Sequence, residues 1–519
     1  MKIERTKNAT RNIFVGMILK MYQIIVPFVM RTIMIYYMGL QYTGLNSLFT
    51  SILQVLNLAE LGVGSAMTFS MYKPIAEDDT NKICMLMKLY RKYYRIIGLI
   101  IAVVGTMLTP FVPKLIKNGN IPSEINIYII YLMNLSATVL TYWLFAFKNC
   151  LLVAHQRNDV SSKITIIANT VQYILQITVI FIFKNYYLYL IIMLATQIMT
   201  NISTSLVVSK MYPNYKPYGE LEKNEVSIIN KRIRDLFTSK LGTVIINSAD
   251  SIVISAFLGL EMLTIYQNYY FILTSIIGFL WVVFTSCTAG IGNSLIVETK
   301  EKNYRDLKKF TILISWIAGL CSCFFLALYQ PFMIIWVGEE LTLEYSAVVC
   351  FVIYYFIYEI NQLLNLYKDA GGIWREDKFR PLVTALTNLA INLALVRYWG
   401  IYGVLLSTVI SMIIIGMPWL IHNLFTTLFE KKFLFDYLKK LFACVFVTVI
   451  VCAINTVLCV NIHAIGWTAL IIRGIITLIL PNILFWIAYS HHPEFNDIIN
   501  LIDKMTKNKL KLSKLCKNI

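Results

Sequence analysis

Fourteen runs of mostly apolar residues, each long enough to cross a bilayer, leave few folds open to this chain. A spanning helix needs about 20 such residues. The runs lie at approximately 13–38, 45–71, 96–116, 126–147, 162–183, 186–209, 235–258, 262–290, 310–335, 345–367, 382–398, 402–426, 441–461 and 466–489. Backbone polar groups at that depth have no water to bond, so each run is expected to be helical. Only 14% of the 519 residues are charged, against about 25% in soluble domains. The expected class is an all-α polytopic membrane protein with about 14 transmembrane helices. Short links at Lys184–Asn185 and Arg397–Ile401 make hairpins of their neighbours.

The net charge of +18 would point to nucleic acid in a soluble chain. Its placement argues against that, because Lys and Arg recur in short clusters between apolar runs and no extended basic domain exists. With both termini cytoplasmic, 38 of the 46 Lys and Arg residues fall on the inner side and 4 on the outer. Lys20, Arg31, Lys240 and Arg473 lie within spans. This bias predicts a multi-pass protein of the cell membrane with an even number of spans. The basic stretch Met1–Asn12 resembles the start of a signal peptide. The run after it contains Lys20 and lacks a small-residue cleavage pattern, so it is expected to remain as the first span. The ten cysteines form no CxxC pair and stand at no ligand spacing from a histidine, so neither a metal nor a disulfide framework is expected. The tail Glu494–Ile519 alternates apolar residues with lysines and reads either as a helix on the inner leaflet or as a frayed basic end.

A shift of 220 residues lays the first span on the seventh without a gap. Lys20 then meets Lys240, Gln23 meets Thr243, Pro27 meets Asn247, Arg31 meets Ser251, and Gly39-Leu40-Gln41 meets Gly259-Leu260-Glu261. Arg157-Asn158-Asp159 and Arg375-Glu376-Asp377 each precede the fifth span of their half. A parallel repeat of six helices follows: an N-terminal lobe at 1–210, a cytoplasmic linker at 211–234 and a C-terminal lobe at 235–428. An appended helix pair at 429–490 and a basic cytoplasmic tail at 491–519 complete the chain. Repeats of this kind mark secondary transporters.

Two stretches carry a family resemblance. The run "KDAGGIWREDKFRPLVTALTNLAINLALVRYWGIYGVLLSTVIS" (368–411) and the run "MGLQYTGLNSLFTSILQVLNLAELGVGSAM" (38–67) resemble bacterial polysaccharide flippases. These are the Wzx-like branch of the multidrug/oligosaccharidyl-lipid/polysaccharide exporter superfamily. The resemblance implies export of undecaprenyl-diphosphate-linked oligosaccharide from inner to outer leaflet by alternating access between two lobes. It implies a monomer working beside a polysaccharide polymerase and glycosyltransferases, with no cofactor beyond coupling to H+, Na+ or the membrane potential.

The residues themselves fit an anionic cargo. Eleven residues advance a helix by three turns plus about 20°, so Lys20 and Arg31 share a face about 16 Å apart, with Gln23 and Pro27 between them. Pro27 removes a backbone hydrogen bond and is expected to kink the helix as a hinge. Lys240, Thr243, Asn247 and Asp250 form the matching stripe on the seventh span. Together Lys20, Gln23, Arg31, Lys240 and Asn247 are the expected substrate contacts, the cations holding a diphosphate. A competing reading has the long side chains of Lys20 and Arg31 snorkelling to opposite surfaces. Asp250, Glu359 and Glu60 are candidates for ion coupling or internal pairing. Arg157, Asp159, Arg375 and Asp377 are expected to form exposed salt bridges of a cytoplasmic gate. An ion-coupled drug or cation antiporter is the alternative function, but it needs carboxylates where the first span carries two cations. No nucleophile and base stand at catalytic spacing, and the longest outer loop, Val337–Glu344, is too short to hold a polymerase site, so no enzyme is expected.

Overall fold

The computed structural model describes residues 5–117, 121–462, 466–490 and 492–505, and the basic end of the tail at 506–519 lies outside them. The helices are α1 (Arg5–Tyr37), α2 (Leu40–Leu56), α3 (Val63–Ala76), α4 (Thr80–Leu108), α5 (Ile127–Trp143), α6 (Asn149–Ala154), α7 (Asn158–Ile182), α8 (Tyr186–Met211) and α9 (Lys223–Phe257). They continue as α10 (Leu260–Val297), α11 (Lys300–Val337), α12 (Tyr345–Ala370), α13 (Arg380–Trp399), α14 (Ile401–Ser411), α15 (Met417–Thr427), α16 (Leu434–Val460), α17 (Gly466–Ser490) and α18 (Pro493–Met505). Among the described residues 12 helices are long and apolar enough to cross a membrane, or 14 when two bent pairs each count as one span. All fourteen expected runs are present as such elements.

The second and fourth spans are broken rather than straight, bending by 41° between α2 and α3 and by 48° between α5 and α6. The first break falls after a 3₁₀ turn, Asn57–Glu60, at Gly62, whose φ of +87° is left-handed. A Cβ at Gly62 would also lie 2.7 Å from the Leu236 side chain of α9, so both conformation and close packing require glycine there. The twelfth span carries a π turn at Met412–Gly416, one residue before Met417-Pro418. A wide turn there accommodates the proline, which has no N–H to donate. By contrast α1 runs through Pro27 as one helix.

The chain divides into two compact units, Met1–Gln267 and Asn268–Ile519. In the first, α1 packs on α7, α4 on α5, α5 and α7 on α8, and α2 contacts both α1 and α9. The second half of the segment expected as a linker at 211–234 is the start of α9, which packs against α2 and α3. In the second unit α11 is central and packs against α12, α16, α17 and α18, while α13 and α14 form a hairpin. The tail helix α18 does not lie out on the leaflet. Phe495, Ile498 and Ile499 are buried in the core with Ile312, Cys444 and Phe485, and Glu494 pairs with Lys308 (3.1 Å) and Lys440 (3.2 Å).

Of the expected gate residues, Asp159 and Asp377 are buried and Arg157 is half-buried. Asp159 is 2% exposed, accepts from Arg157 (3.0 Å) and pairs with Arg11 of α1 (2.9 Å). Its backbone N–H donates to Asn12 Oδ1, which ties the start of α1 to the start of α7. Asp377, also buried, is held not by Arg375 but by Nε and one terminal nitrogen of Arg380, at 2.6 and 2.8 Å, with Lys368 and Asn423 nearby. Arg375 is exposed. The Arg157–Asp159 pair forms as expected, with its carboxylate buried, whereas Asp377 pairs with Arg380 in place of Arg375; removing either carboxylate would leave the guanidinium groups around it without that partner. Asp159→Asn and Asp377→Asn should each lower stability by about 2 kcal/mol, given charge-assisted hydrogen bonds of about 1.5–3 kcal/mol, whereas Arg375→Ala should be nearly neutral. Thermal unfolding of the purified variants in detergent checks this, and an Arg375→Ala loss matching that of Asp377→Asn would contradict the assignment.

Candidate functional site

Three neighbouring helices of the first unit present polar faces at membrane depth. Between Phe14 and Val29 of α1 the exposed apolar side chains Phe14, Met17, Ile18, Met21, Ile25 and Val29 fall within an arc of about 120°. Lys20, Gln23, Pro27 and Arg31 fall within another arc of about 80°, centred roughly 140° away. The helix therefore has one face suited to lipid and an opposite one that is polar. Gln23 is exposed on that polar face, and Lys20 and Arg31 are half-buried.

On α9 the contrast is sharper. Between Lys240 and Phe257 the exposed residues are Lys240, Thr243 and Asn247, all on one face. Lys240 Nζ donates to Ser65 Oγ of α3 at 3.2 Å. Asp250 is half-buried, and the hydroxyl of the buried Ser251 accepts from Gln267 at 2.8 Å. Between them α2 repeats the pattern, although nothing in the sequence reading singled it out. Its exposed residues are Thr50 and Gln54, and Asn46 and Asn57 share their face within about 80° of arc. The signal was present as amides and hydroxyls at i, i+4, i+8 and i+11, but in an uncharged helix it stands out less than a lysine does.

The cations occupy two levels. At 1.5 Å per residue Lys20 lies about 26 Å from the end of α1 at Tyr37, and Lys240 about 26 Å from the end of α9 at Phe257, whereas Arg31 lies only about 9 Å from Tyr37. Arg31 donates to the Thr264 carbonyl in the first turns of α10 at 3.1 Å, and the Thr264 hydroxyl donates to the Leu40 carbonyl at 2.7 Å. Gln41 donates to Glu261 at 3.3 Å, a pair 220 residues apart. Gly44 packs so closely on Leu260 that a Cβ would overlap its carbonyl. The turn after α1 and the turn after α9 thus meet and close this end of the polar wall, on the side poor in Lys and Arg.

Glu60 adjoins one end of the wall. At the α2–α3 break its carboxylate accepts from Tyr94 (2.5 Å) and Tyr142 (2.9 Å), and Tyr142 also contacts Asn57. Glu359 of α12, in the second unit, is 1% exposed, and its Oε1 has no hydrogen-bond partner among the described residues. Asn361 Oδ1 nearby is likewise unpartnered among them. Also in the second unit, α11, α12, α15 and α16 enclose an apolar cleft of about 1020 Å³ lined by residues such as Leu326, Phe356, Ile421, Leu441 and Val445. The substrate contacts expected from sequence therefore gather in one unit with unequal roles. Lys20, Gln23, Lys240 and Asn247 belong to the wall, while Arg31 is engaged at its closed end.

No protein-family model matches this sequence, and no curated protein is similar to it in sequence. The fold does have solved relatives. The chain is similar to the lipid II flippase MurJ in its inward closed conformation, with a TM-score of 0.66 and 15% identity over 92% of this chain and 99% of that one. It is also similar to an inward-facing multidrug resistance MATE family transporter of the MOP superfamily, with a TM-score of 0.58 and 13% identity over 79% and 97% of the two chains. A MATE structure in a bent conformation gives 0.51 and 15% identity over 80% and 94%. At these identities the likeness establishes a shared fold, the all-α architecture expected from the apolar runs.

If the wall faces water, a membrane-impermeant maleimide should label Gln23→Cys, Thr50→Cys, Gln54→Cys and Asn247→Cys on a background stripped of native cysteines. Ile25→Cys, on the opposite face of α1, should react at least about tenfold more slowly. Equal labelling of both faces would refute the assignment.

Proposed function

We propose that this protein is a flippase carrying undecaprenyl-diphosphate-linked oligosaccharide from the inner to the outer leaflet of a bacterial cell membrane, for assembly of surface polysaccharide. The observation that supports it is the composition of the wall. Its exposed members on α1, α2 and α9 are cationic, amide or hydroxyl side chains, and α1 and α2 contain no carboxylate between Arg5 and Leu56. A cationic drug would need the reverse, so the antiporter reading is the weaker one. The diphosphate is held by Lys20 and Lys240 as point charges, with Arg31 awaiting it at the closed end. Nothing in this scheme needs bond chemistry, so the protein acts as a transporter and not as an enzyme.

Alternating access then requires the contact between the Gly39–Gly44 and Gly259–Thr264 turns to part, releasing Arg31 from Thr264. Both termini are placed in the cytoplasm, on the Lys- and Arg-rich side. Glu359 is the proposed coupling residue for H+ or Na+, since a buried carboxyl oxygen without a partner is costly unless a cation or proton visits it. A polymerase and glycosyltransferases are the expected neighbours of a monomeric carrier.

Arg31→Ala combined with Lys240→Ala should reduce glycan export at least tenfold in a complementation assay while membrane insertion stays normal. Undiminished export would defeat the proposal. In proteoliposomes, Glu359→Gln should abolish the response to an imposed proton or sodium gradient. A variant that responds like the parent would remove Glu359 from the coupling role.

A further inference from the structure

The face of α2 between the two cationic helices is explained neither by packing nor by charge binding. Asn46, Thr50, Gln54 and Asn57 turn it into a continuous strip of neutral donors and acceptors. Asn46 stands about 9 Å from the start of α2 and Asn57 about 26 Å, so the strip covers the depths between Arg31 at one end and Lys20 and Lys240 at the other. Thr50 and Gln54 are its exposed members. The Thr50 hydroxyl donates to the Asn46 carbonyl, leaving its oxygen free to accept. No hydrogen-bond partner is found for the Gln54 side-chain amide among the described residues. The Asn57 Oδ1 accepts from Tyr142, which fixes one end of the strip to α5.

A diphosphate has no use for this surface, since neutral amides and hydroxyls bind phosphate far less strongly than the adjacent cations. A prenyl chain would be disfavoured on it. An uncharged, hydroxyl-rich chain fits it, because each ring presents donors and acceptors along its length. We propose that the exposed face of α2 is the sugar-recognising subsite of this protein, with Thr50 and Gln54 deciding which glycans are accepted. The inference rests on the flippase reading and adds to it the residues that discriminate cargo. Discrimination by hydrogen bonding is strong where a missing partner leaves a polar group unpaired.

The test compares two probes on the purified full-length protein, undecaprenyl diphosphate without sugar and the same lipid bearing the native oligosaccharide, in a detergent with no sugar headgroup. The parent protein should bind the glycosylated probe about tenfold more tightly, as expected for two neutral hydrogen bonds. Thr50→Val combined with Gln54→Leu should erase that difference and leave the affinity for the sugar-free probe unchanged. Thr50→Ser, which keeps the hydroxyl, should preserve it. Both positions are exposed, so folding is expected to survive, and unchanged affinity for the sugar-free lipid verifies it. A double variant that still prefers the glycosylated probe overturns the α2 subsite and leaves the flippase reading intact. Failure of the parent to bind either lipid overturns the flippase reading and this inference with it.

Discussion

An amide or ammonium group cannot face hydrocarbon without cost, and this constraint organises the first unit of the protein. Moving an unpaired amide into an alkane-like medium costs about 4–8 kcal/mol. The exposed amides of Gln23, Gln54 and Asn247 therefore have to meet water or a polar ligand. Because α1 carries its apolar exposed residues on the opposite side, it can satisfy lipid and water at once. On α2 and α9 the membrane-depth exposed residues are all polar, which leaves those helices no lipid-facing side of their own.

Broken helices and buried ion clusters let the wall exist without loosening the bundle around it. The 41° bend at Gly62 frees backbone groups that would be costly in lipid, yet the break is packed against α9 and braced by Glu60 with its tyrosines. Irregular backbone at this depth is tolerated where protein covers it. At the basic end, Asp159 and Asp377 fix helix starts in the two units by different means. Asp159 recruits Arg11 from α1, whereas Asp377, in the loop before α13, uses Arg380 at the start of that helix, with Asn423 of α15. The stretches around Arg157 and Arg375 are alike in sequence and unequal in chemistry. At the other end Gln41 meets Glu261, so residues separated by the repeat interval come together in space.

Polar and charged residues in spans divide into those that hold the structure and those left available. Glu60 is satisfied by tyrosine hydroxyls and reads as a brace for the α2–α3 break, in keeping with internal pairing. Arg31 is partly spent on the Thr264 carbonyl, which gives it a conformational duty beside any ligand contact. Lys20 and Lys240 stand at matching distances from their helix ends without an ion-pair partner among the described residues, and the Lys240 ammonium donates to the Ser65 hydroxyl. Cations left uncommitted in this way suit an anion that must be released again.

Hydropathy alone determined the class and the fourteen spans, because long apolar runs and the cost of unpaired backbone groups admit few alternatives. The cationic stripes were legible too, since eleven residues close on three helical turns. Tertiary structure alone decided where helices break, which acids are buried, that α18 docks on the core and that α2 shares the polar wall. Those outcomes depend on what lies across from a side chain, and Asp159 or Thr50 looks the same in one dimension whether it faces a partner or open space. A local pattern records which face is polar, and only packing records what that face meets.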